Sequence, residues 1–538
     1  MKRFFIPLAL LTIITLTTII YSNSLNSPFQ FDDVRRIVDI KVIQSLGLAE
    51  LFQWSKSRFL TYLTFALNYY FGKYNVFGYH ALNTAIHIIN SLLIFFLCLL
   101  IFKSPKLNKS EFKKYSHLLS FFVSLIFAAH PLQTESVTYI WQRAESIVGV
   151  FYFLSLILYA KFRLNQIYKP DKKGNLFLYI ASLISIIFCS FVKPTSVTLG
   201  IAIFIYEACL ASRSIKEFKA SLKYLIPVLA CILLPILLAK YDILESKNVS
   251  IGLNNHYLPY YYTKLRVLAH SLGILIAPVN QRLEYDFIWS ISLIKPISTL
   301  FSLVLLLSLA IVALSSFRRH PLITFVISWF FLTLSITTIL VLDDIFFEHY
   351  LYLPLFGYAL ILPVLSLDFV NRAKIDKKWW VLAFIILIAI YSAAAYNRNK
   401  IWRSEISLWE DAVKKSPYKA RAHYTLGVYY FRVNRFKEAF NEYELSLRYK
   451  PQYPEAYYRL GEYYFKLGDI EKSILNYRIA IELNPEFFEA YLNLGSVYLN
   501  IRRYMDSKEC FEKALRFTND PEYIKNINSL ISQISRYE

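Results

Sequence analysis

The segment Phe29–Ile37, FQFDDVRRI, places two adjacent carboxylates, Asp32 and Asp33, beside two adjacent guanidinium groups, Arg35 and Arg36. It follows an apolar run, so these charges stand at the edge of a membrane, where an uncompensated charge is costly. A carboxylate facing water there can take a proton from an incoming hydroxyl, while neighbouring cations hold an anionic leaving group. Similar groups recur in the other outward connections. HALNTAIHIIN sets His80, Asn83 and His87 on one face at helical i, i+3, i+7 spacing. HPLQTESVTYIWQRAES brings His130, Glu135, Gln142, Arg143 and Glu145; FVKPTSVTLG offers Lys193; FEHYLYLPLFGYA adds Glu348, His349, Tyr350 and Tyr352. Carboxylates among Arg, Lys and His at a bilayer surface suit glycosyl transfer from a lipid-linked sugar phosphate. Cations, or a divalent metal such as Mg or Mn on Asp32 and Asp33, would stabilise the departing phosphate, and an Asp would accept the proton. Interfacial anchoring accounts for Arg35 and Arg36 equally well, and helix packing for His80 and His87.

The elements that must position these groups are membrane helices. More than half of the 538 residues are hydrophobic (56%) and long apolar runs recur to about residue 396, which makes a polytopic membrane protein. About eleven spans are expected: the opening run Phe4–Tyr21, read as an uncleaved anchor, and segments near 80–102, 116–130, 146–162, 176–192, 195–211, 223–240, 296–317, 321–341, 350–367 and 378–396. Alternate loops are basic (KSPKLNKSEFKK, KFRLNQIYKPDKK, SRSIKEFK, FRRH, NRAKIDKK) and fall on the cytoplasmic side if 262–279 does not cross. That segment contains Lys264, Arg266 and His270 and reads as re-entrant or interfacial. The positive-inside pattern also accounts for the net charge of +21 without a nucleic-acid partner. No phosphate-loop motif occurs, and the five scattered cysteines have neither metal-ligand nor disulfide spacing.

Beyond residue 396 the chain becomes soluble in character and periodic. Pro417, Pro451 and Pro485 are evenly spaced, as are Gly427, Gly461 and Gly495, at the roughly 34-residue period of tetratricopeptide (TPR) repeats. Units near 420–453, 454–487 and 488–521, a half-unit at 404–419 and a capping helix at 522–538 compose an α-solenoid within a domain 397–538. The expected class is all-α: a membrane bundle over 1–396, then the solenoid. Such arrays bind extended peptide, so this one is expected to dock a protein partner or acceptor outside the cytoplasm.

The ordered set FQFDDVRRI, HALNTAIH, HPLQTESVTYIWQRAE, FVKPTSVTLG and EHYLYLPLFG, followed by TPR units, resembles the transmembrane-and-TPR O-mannosyltransferases and their bacterial relatives in the GT-C glycosyltransferase superfamily. The resemblance covers nearly the whole chain. It implies a multi-span enzyme using a polyprenyl-phosphate sugar, with Asp32 or Asp33 as catalytic base. It also implies that His130, Glu135, Arg143 and Glu145 lie around the donor phosphate and acceptor. Two positions depart from the pattern. Glu348-His349 stands where relatives have Glu-Arg, putting a titratable group in place of a permanent cation. Lys193 is followed by proline where relatives commonly carry an acid. The compact loops and an ending without an ER-retention signal point to a bacterial inner membrane with a periplasmic repeat domain, or to a lumenal one in an ER membrane. The competing reading is a non-catalytic membrane-anchored TPR scaffold for envelope assembly.

Overall fold

Backbone in lipid must satisfy its own N–H and C=O groups, so the apolar runs fold as helices. The computed structural model describes residues 2–108, 110–168, 172–245, 257–342 and 344–535, and no β-strand occurs among them. Among the described residues, nine helical segments are long and apolar enough to cross a membrane: Phe4–Ser24, Val76–Ile101, Ile140–Tyr168, Pro194–Ala211, Ile215–Asp242, Ser298–Ser316, Pro321–Ile339, Pro354–Arg372 and Lys377–Arg403. Two shorter apolar helices, Ser116–Ala129 and Gly174–Ser190, complete the eleven segments expected from the sequence.

The charged segment 262–279 forms the helix Leu258–Ile276, and its contacts show why it is not a twelfth span. Near its start the hydroxyls of Tyr260 and Tyr261 donate to the carbonyls of Leu340 and Ile339, at the end of the Pro321–Ile339 helix. At its other end the Leu275 carbonyl meets Nε2 of His130, just past the Ser116–Ala129 helix. Both of those helices begin at basic loops and finish on the opposite side. The Leu258–Ile276 helix therefore joins two ends that lie on the same side, opposite the basic loops. Lys264 donates from Nζ to the Ile345 carbonyl at 2.6 Å instead of entering lipid.

The core of this unit is aromatic. Trp329 is fully buried, stacks on Phe153, meets Phe356 and Tyr152 edge-on, and donates its indole N–H to the Leu353 carbonyl. Toward the basic loops, Arg163 grips Glu207 with two hydrogen bonds, while Ser212 and Tyr159 donate to the same carboxylate. A buried charge so fully partnered fixes helix register.

Two compact units divide the chain, one comprising Met1–Leu283 and Phe287–Ser404, the other Glu284–Asp286 and Glu405–Glu538. The boundary falls at Ser404 instead of 396 because the last membrane helix continues to Asn399 and a tight turn, Lys400–Arg403, follows. In the second unit, paired helices begin at Ala420, Pro454 and Phe488, the expected repeat starts, and a last described helix runs Pro521–Ile534. Residues 536–538 of the expected cap lie outside the described residues. The repeat glycines have one purpose. A Cβ on Gly427, Gly461 or Gly495 would come within 2.6, 2.7 or 2.8 Å of the ring of Tyr443, Tyr477 or Phe511 on the second helix of the same unit. Ser473 and Ser507 tighten the pairing by donating to the carbonyls of Gly461 and Gly495.

Candidate active site

The two adjacent aspartates are separated in role by one backbone turn. Phe31 adopts a positive φ of 54°, a left-handed conformation that costs a non-glycine residue about 1–3 kcal/mol. Its ring packs on Tyr139 and Phe347, which holds the turn in place. As a result Asp33 points inward and is buried, whereas Asp32 is only half-buried. Both Asp33 oxygens are engaged: Oδ2 accepts from the Gln30 N–H at 2.9 Å and Oδ1 from the Trp141 N–H at 2.7 Å. Burial pushes the Asp33 carboxyl up to about 8, with those two donors pulling the other way. Asp32 donates its own N–H to the Tyr139 hydroxyl and, being half-buried, remains partly accessible.

By holding the Trp141 backbone, Asp33 also fixes the Trp141 ring, and two guanidinium groups share that ring. Arg36 Cζ lies 5.8 Å and Arg58 Cζ 5.5 Å from its centroid. Burial lowers the Arg58 pKa below the usual guanidinium value. Among the described residues neither arginine has a carboxylate at ion-pair distance. Asp242, at the outer end of the Leu233–Glu245 helix, clamps the segment before Arg58, accepting from Ser55 Oγ, the Lys56 N–H, and both the N–H and Oγ of Ser57. Arg35 is exposed.

Behind this face, Lys193 pairs with Glu145, and burial lowers the Lys193 pKa. Glu145 lines a small cleft with Thr195, Thr198, Thr333, Thr337, Tyr350 and Leu353. The buried Thr195 hydroxyl has no protein partner. Next to it Glu135 accepts from the His349 N–H and meets His349 Nδ1 at 2.7 Å. Burial raises the Glu135 carboxyl and lowers the His349 imidazole, so each favours its neutral form more than it would in water. The Nδ1 side of His349 is occupied by Glu135. Glu348 is spent differently, accepting from Gln281 Nε2 and the Arg282 N–H.

The remaining sequence-predicted residues form the frame. Arg143 is fully buried, sits over the Phe65 ring, and directs its N–H groups to Asn83, Thr64 and the Tyr79 carbonyl. With those partners it does not face a donor phosphate. His80 Nε2 meets the Ser27 carbonyl, tying the acidic loop to the Val76–Ile101 helix. His87 lies between the Tyr352 hydroxyl and the Ala128 carbonyl, and Asn90 also donates to Tyr352. Gly149 makes room for this knot, because a Cβ there would come within 2.9 Å of the Tyr352 ring. His130 meets the Leu275 carbonyl and accepts from the Leu132 N–H. No group of three His, Cys, Asp or Glu side chains gathers at metal-binding distance among the described residues. Asp33 has both oxygens in use, so Asp32 and Asp33 do not make a ready chelate.

Arg58, Asp242 and the threonine cleft escaped sequence reading. Arg58 had a signal: with Lys56 it is a basic pair in an outward loop, against the charge bias of the chain.

Comparison with known proteins shows what the chain is similar to. The TPR repeat family matches residues 429–468 and 461–501, and a second tetratricopeptide repeat family matches 488–521. The Caenorhabditis elegans "Protein O-mannosyl-transferase F38B6.6" is 26% identical over 456 residues, covering 78% of this chain and 59% of the relative. Human "Protein O-mannosyl-transferase TMTC1" is 25% identical over 492 residues, covering 79% of this chain and 53% of that protein. Mouse "Protein O-mannosyl-transferase TMTC3" reaches 36% over 163 residues, 28% of this chain and 16% of the relative. The chain thus spans between half and three-fifths of the length of the first two. It is a multi-pass membrane chain similar over nearly four-fifths of its length to proteins named protein O-mannosyl-transferases, with tetratricopeptide repeats of its own.

Proposed function

We propose that the chain is a membrane glycosyltransferase that moves mannose, or a mannose-like sugar, from a polyprenyl-phosphate donor to a protein hydroxyl outside the cytoplasm. The observation that carries this reading is the half-buried Asp32 on the loop whose Arg36, together with Arg58, sits over Trp141. In the reaction the acceptor oxygen attacks the anomeric carbon as the bond from that carbon to the phosphate oxygen breaks. The hydroxyl proton passes to Asp32, and the bonding pair leaves with the polyprenyl phosphate. Arg36 and Arg58 balance the charge of the leaving group; fixed donors of this kind contribute about 10²–10³-fold each. The threonine hydroxyls beside Glu145 suit the hydroxyl groups of a sugar. Asp33 positions and does not react. Since Asp32 and Asp33 form no ready chelate, no step is routed through a metal.

The names of the relatives support transfer to protein, and the repeats support selection of an extended peptide acceptor. The positive-inside pattern supports an extracytoplasmic site, the periplasm in a bacterium or the lumen in an ER membrane. The test is transfer of labelled mannose from polyprenyl-phosphate mannose to a hydroxyl-bearing peptide by the full chain in proteoliposomes, with and without chelator. Transfer that Asp32→Asn abolishes supports the reading. A wild type inactive with every lipid-linked sugar favours the non-catalytic scaffold.

A further inference from the structure

The segment 287–297 carries the sequence FIWSISLIKPI in an outward connection, the opposite of what water-exposed loops contain. Its large side chains are turned outward: Ile288 is 74% exposed, Ile291 75%, Ile294 59% and Trp289 55%. Single exposed aliphatics need no explanation, but a contiguous patch does.

We infer that this loop and the Leu258–Ile276 helix beneath it are embedded in the outer leaflet as a monotopic element, with the loop's aliphatic side chains against lipid hydrocarbon. Three observations support lipid as the occupant. The patch is continuous in sequence with a span: exposed Ile297 leads directly into Ser298–Ser316, whose Phe301, Val304 and Ile311 form an outward apolar face of the kind lipid covers. The loop satisfies much of its own polarity, as hydrocarbon requires. The Ile291 N–H donates to the Lys295 carbonyl, the Ser290 N–H to Thr263 Oγ1, Thr299 Oγ1 to Ser290 Oγ, and Arg266 to the Ile288 carbonyl. Finally, Tyr260, Tyr261 and Trp289 cluster there, the residue types that favour a membrane–water interface.

The element does more than float. Directly before it, Gln281 and the Arg282 backbone hold Glu348, whose neighbour His349 is bound to Glu135. The depth of the loop in the leaflet thereby fixes the height of that wall of the site.

The test uses the full chain in vesicles of phosphatidylethanolamine and phosphatidylglycerol. A fluorophore is placed on Ile291→Cys in a Cys231→Ser background, because the other four cysteines are buried. Ile311→Cys on the span and Met505→Cys on the repeat unit are the references. Brominated acyl chains should quench the Ile291 label to within about twofold of the Ile311 label and leave the Met505 label untouched. Quenching of the Ile291 label by aqueous iodide alone would overturn the inference. Protection from both quenchers would also overturn it, by showing a second copy or another protein on this face.

Discussion

The two units bury charge in opposite ways. In the membrane unit Asp33, Glu135, Arg143, Glu145, Glu207 and Glu348 are all buried, and each carboxylate or guanidinium is met by directed donors or acceptors. In the repeat unit the ion pairs Arg435–Glu438, Lys472–Asp469, Arg503–Asp506 and Lys513–Glu509 join residues three or four apart on the outer faces of helices. What that unit buries is ring against glycine. Surface pairs of this sort contribute little, about 0–1 kcal/mol, whereas removing one member of a buried pair costs about 3–5 kcal/mol. The membrane unit therefore accepts a large desolvation cost to hold a few groups in fixed orientation, which is what a site needs. The repeat unit relies on packing that tolerates exchange at its surface, which is what a docking array needs.

The contrast is sharpest at Asp32 and Asp33. Asp32→Asn should leave insertion and folding unchanged and lower turnover by about 10²–10⁴-fold, as removal of a general base does. Asp33→Asn removes an acceptor for the Trp141 or Gln30 N–H, so activity should fall together with thermal stability. Steady-state kinetics and melting curves on both purified variants separate the two. An Asp33→Asn protein with wild-type stability and no turnover would reverse the assignment.

One step smaller is Arg58→Gln, which keeps a hydrogen-bonding side chain but no charge. It should cost about 10²-fold in kcat/KM with the lipid donor, and Asp242→Asn should reproduce part of that loss by loosening the Ser55–Ser57 clamp. Neither change should alter affinity for an acceptor peptide, read by titration with donor absent. Equal losses in peptide binding would mean that Arg58 acts on the acceptor.

How much of this was legible in the sequence follows from the same contrast. Packing has a period, so the repeat starts at Ala420, Pro454 and Phe488 and the eleven apolar segments could be read directly. The face of Leu258–Ile276 was legible through the cost of Lys264 and Arg266 in lipid. Direction is not periodic. Nothing in the letters DD says that a left-handed Phe31 turns one carboxylate inward and leaves the other outside. The partner of His349 was hidden for a related reason: its distance from Glu135 is 214 residues in sequence and 2.7 Å in space. Arg143 is another case, since a basic residue in an outward motif suggests an anion until Asn83, Thr64 and Tyr79 are seen around it.

In the repeat unit the largest effect should come from packing. Gly461→Ala places a methyl group within 2.7 Å of the Tyr477 ring, and overpacking of this kind costs about 1–3 kcal/mol. Hydrogen exchange should quicken in Pro454–Leu467 and Ile470–Leu483, with donor binding unchanged. If the substitution abolished donor binding as well, the division between a rigid site and a tolerant array would fail.

The smallest effect tests a place where the repeat unit imitates the membrane unit. His423 is buried with both ring nitrogens against acceptors, Nδ1 at 2.6 Å from Glu442 Oε2 and Nε2 at 2.8 Å from the Pro417 carbonyl. A ring that faces two acceptors satisfies both only when it carries two protons. Burial pulls its pKa down, but the bonds to Glu442 and Pro417 outweigh it and raise the value above the ordinary 6.5. A raised folded-state value means the stabilisation is complete below the unfolded pKa near 6.5 and is lost as pH climbs through the folded one. Because Glu442 is partly exposed, the effect should be a few tenths to about 1 kcal/mol. Exchange protection of the Ala420–Arg432 helix should therefore decline as pH rises above about 6.5 in the wild type and stay flat in Glu442→Gln, where the ring has lost its ionic partner. A wild-type profile as flat as that of the variant would show that His423 is neutral, and that the repeat unit holds no buried charge in this contact.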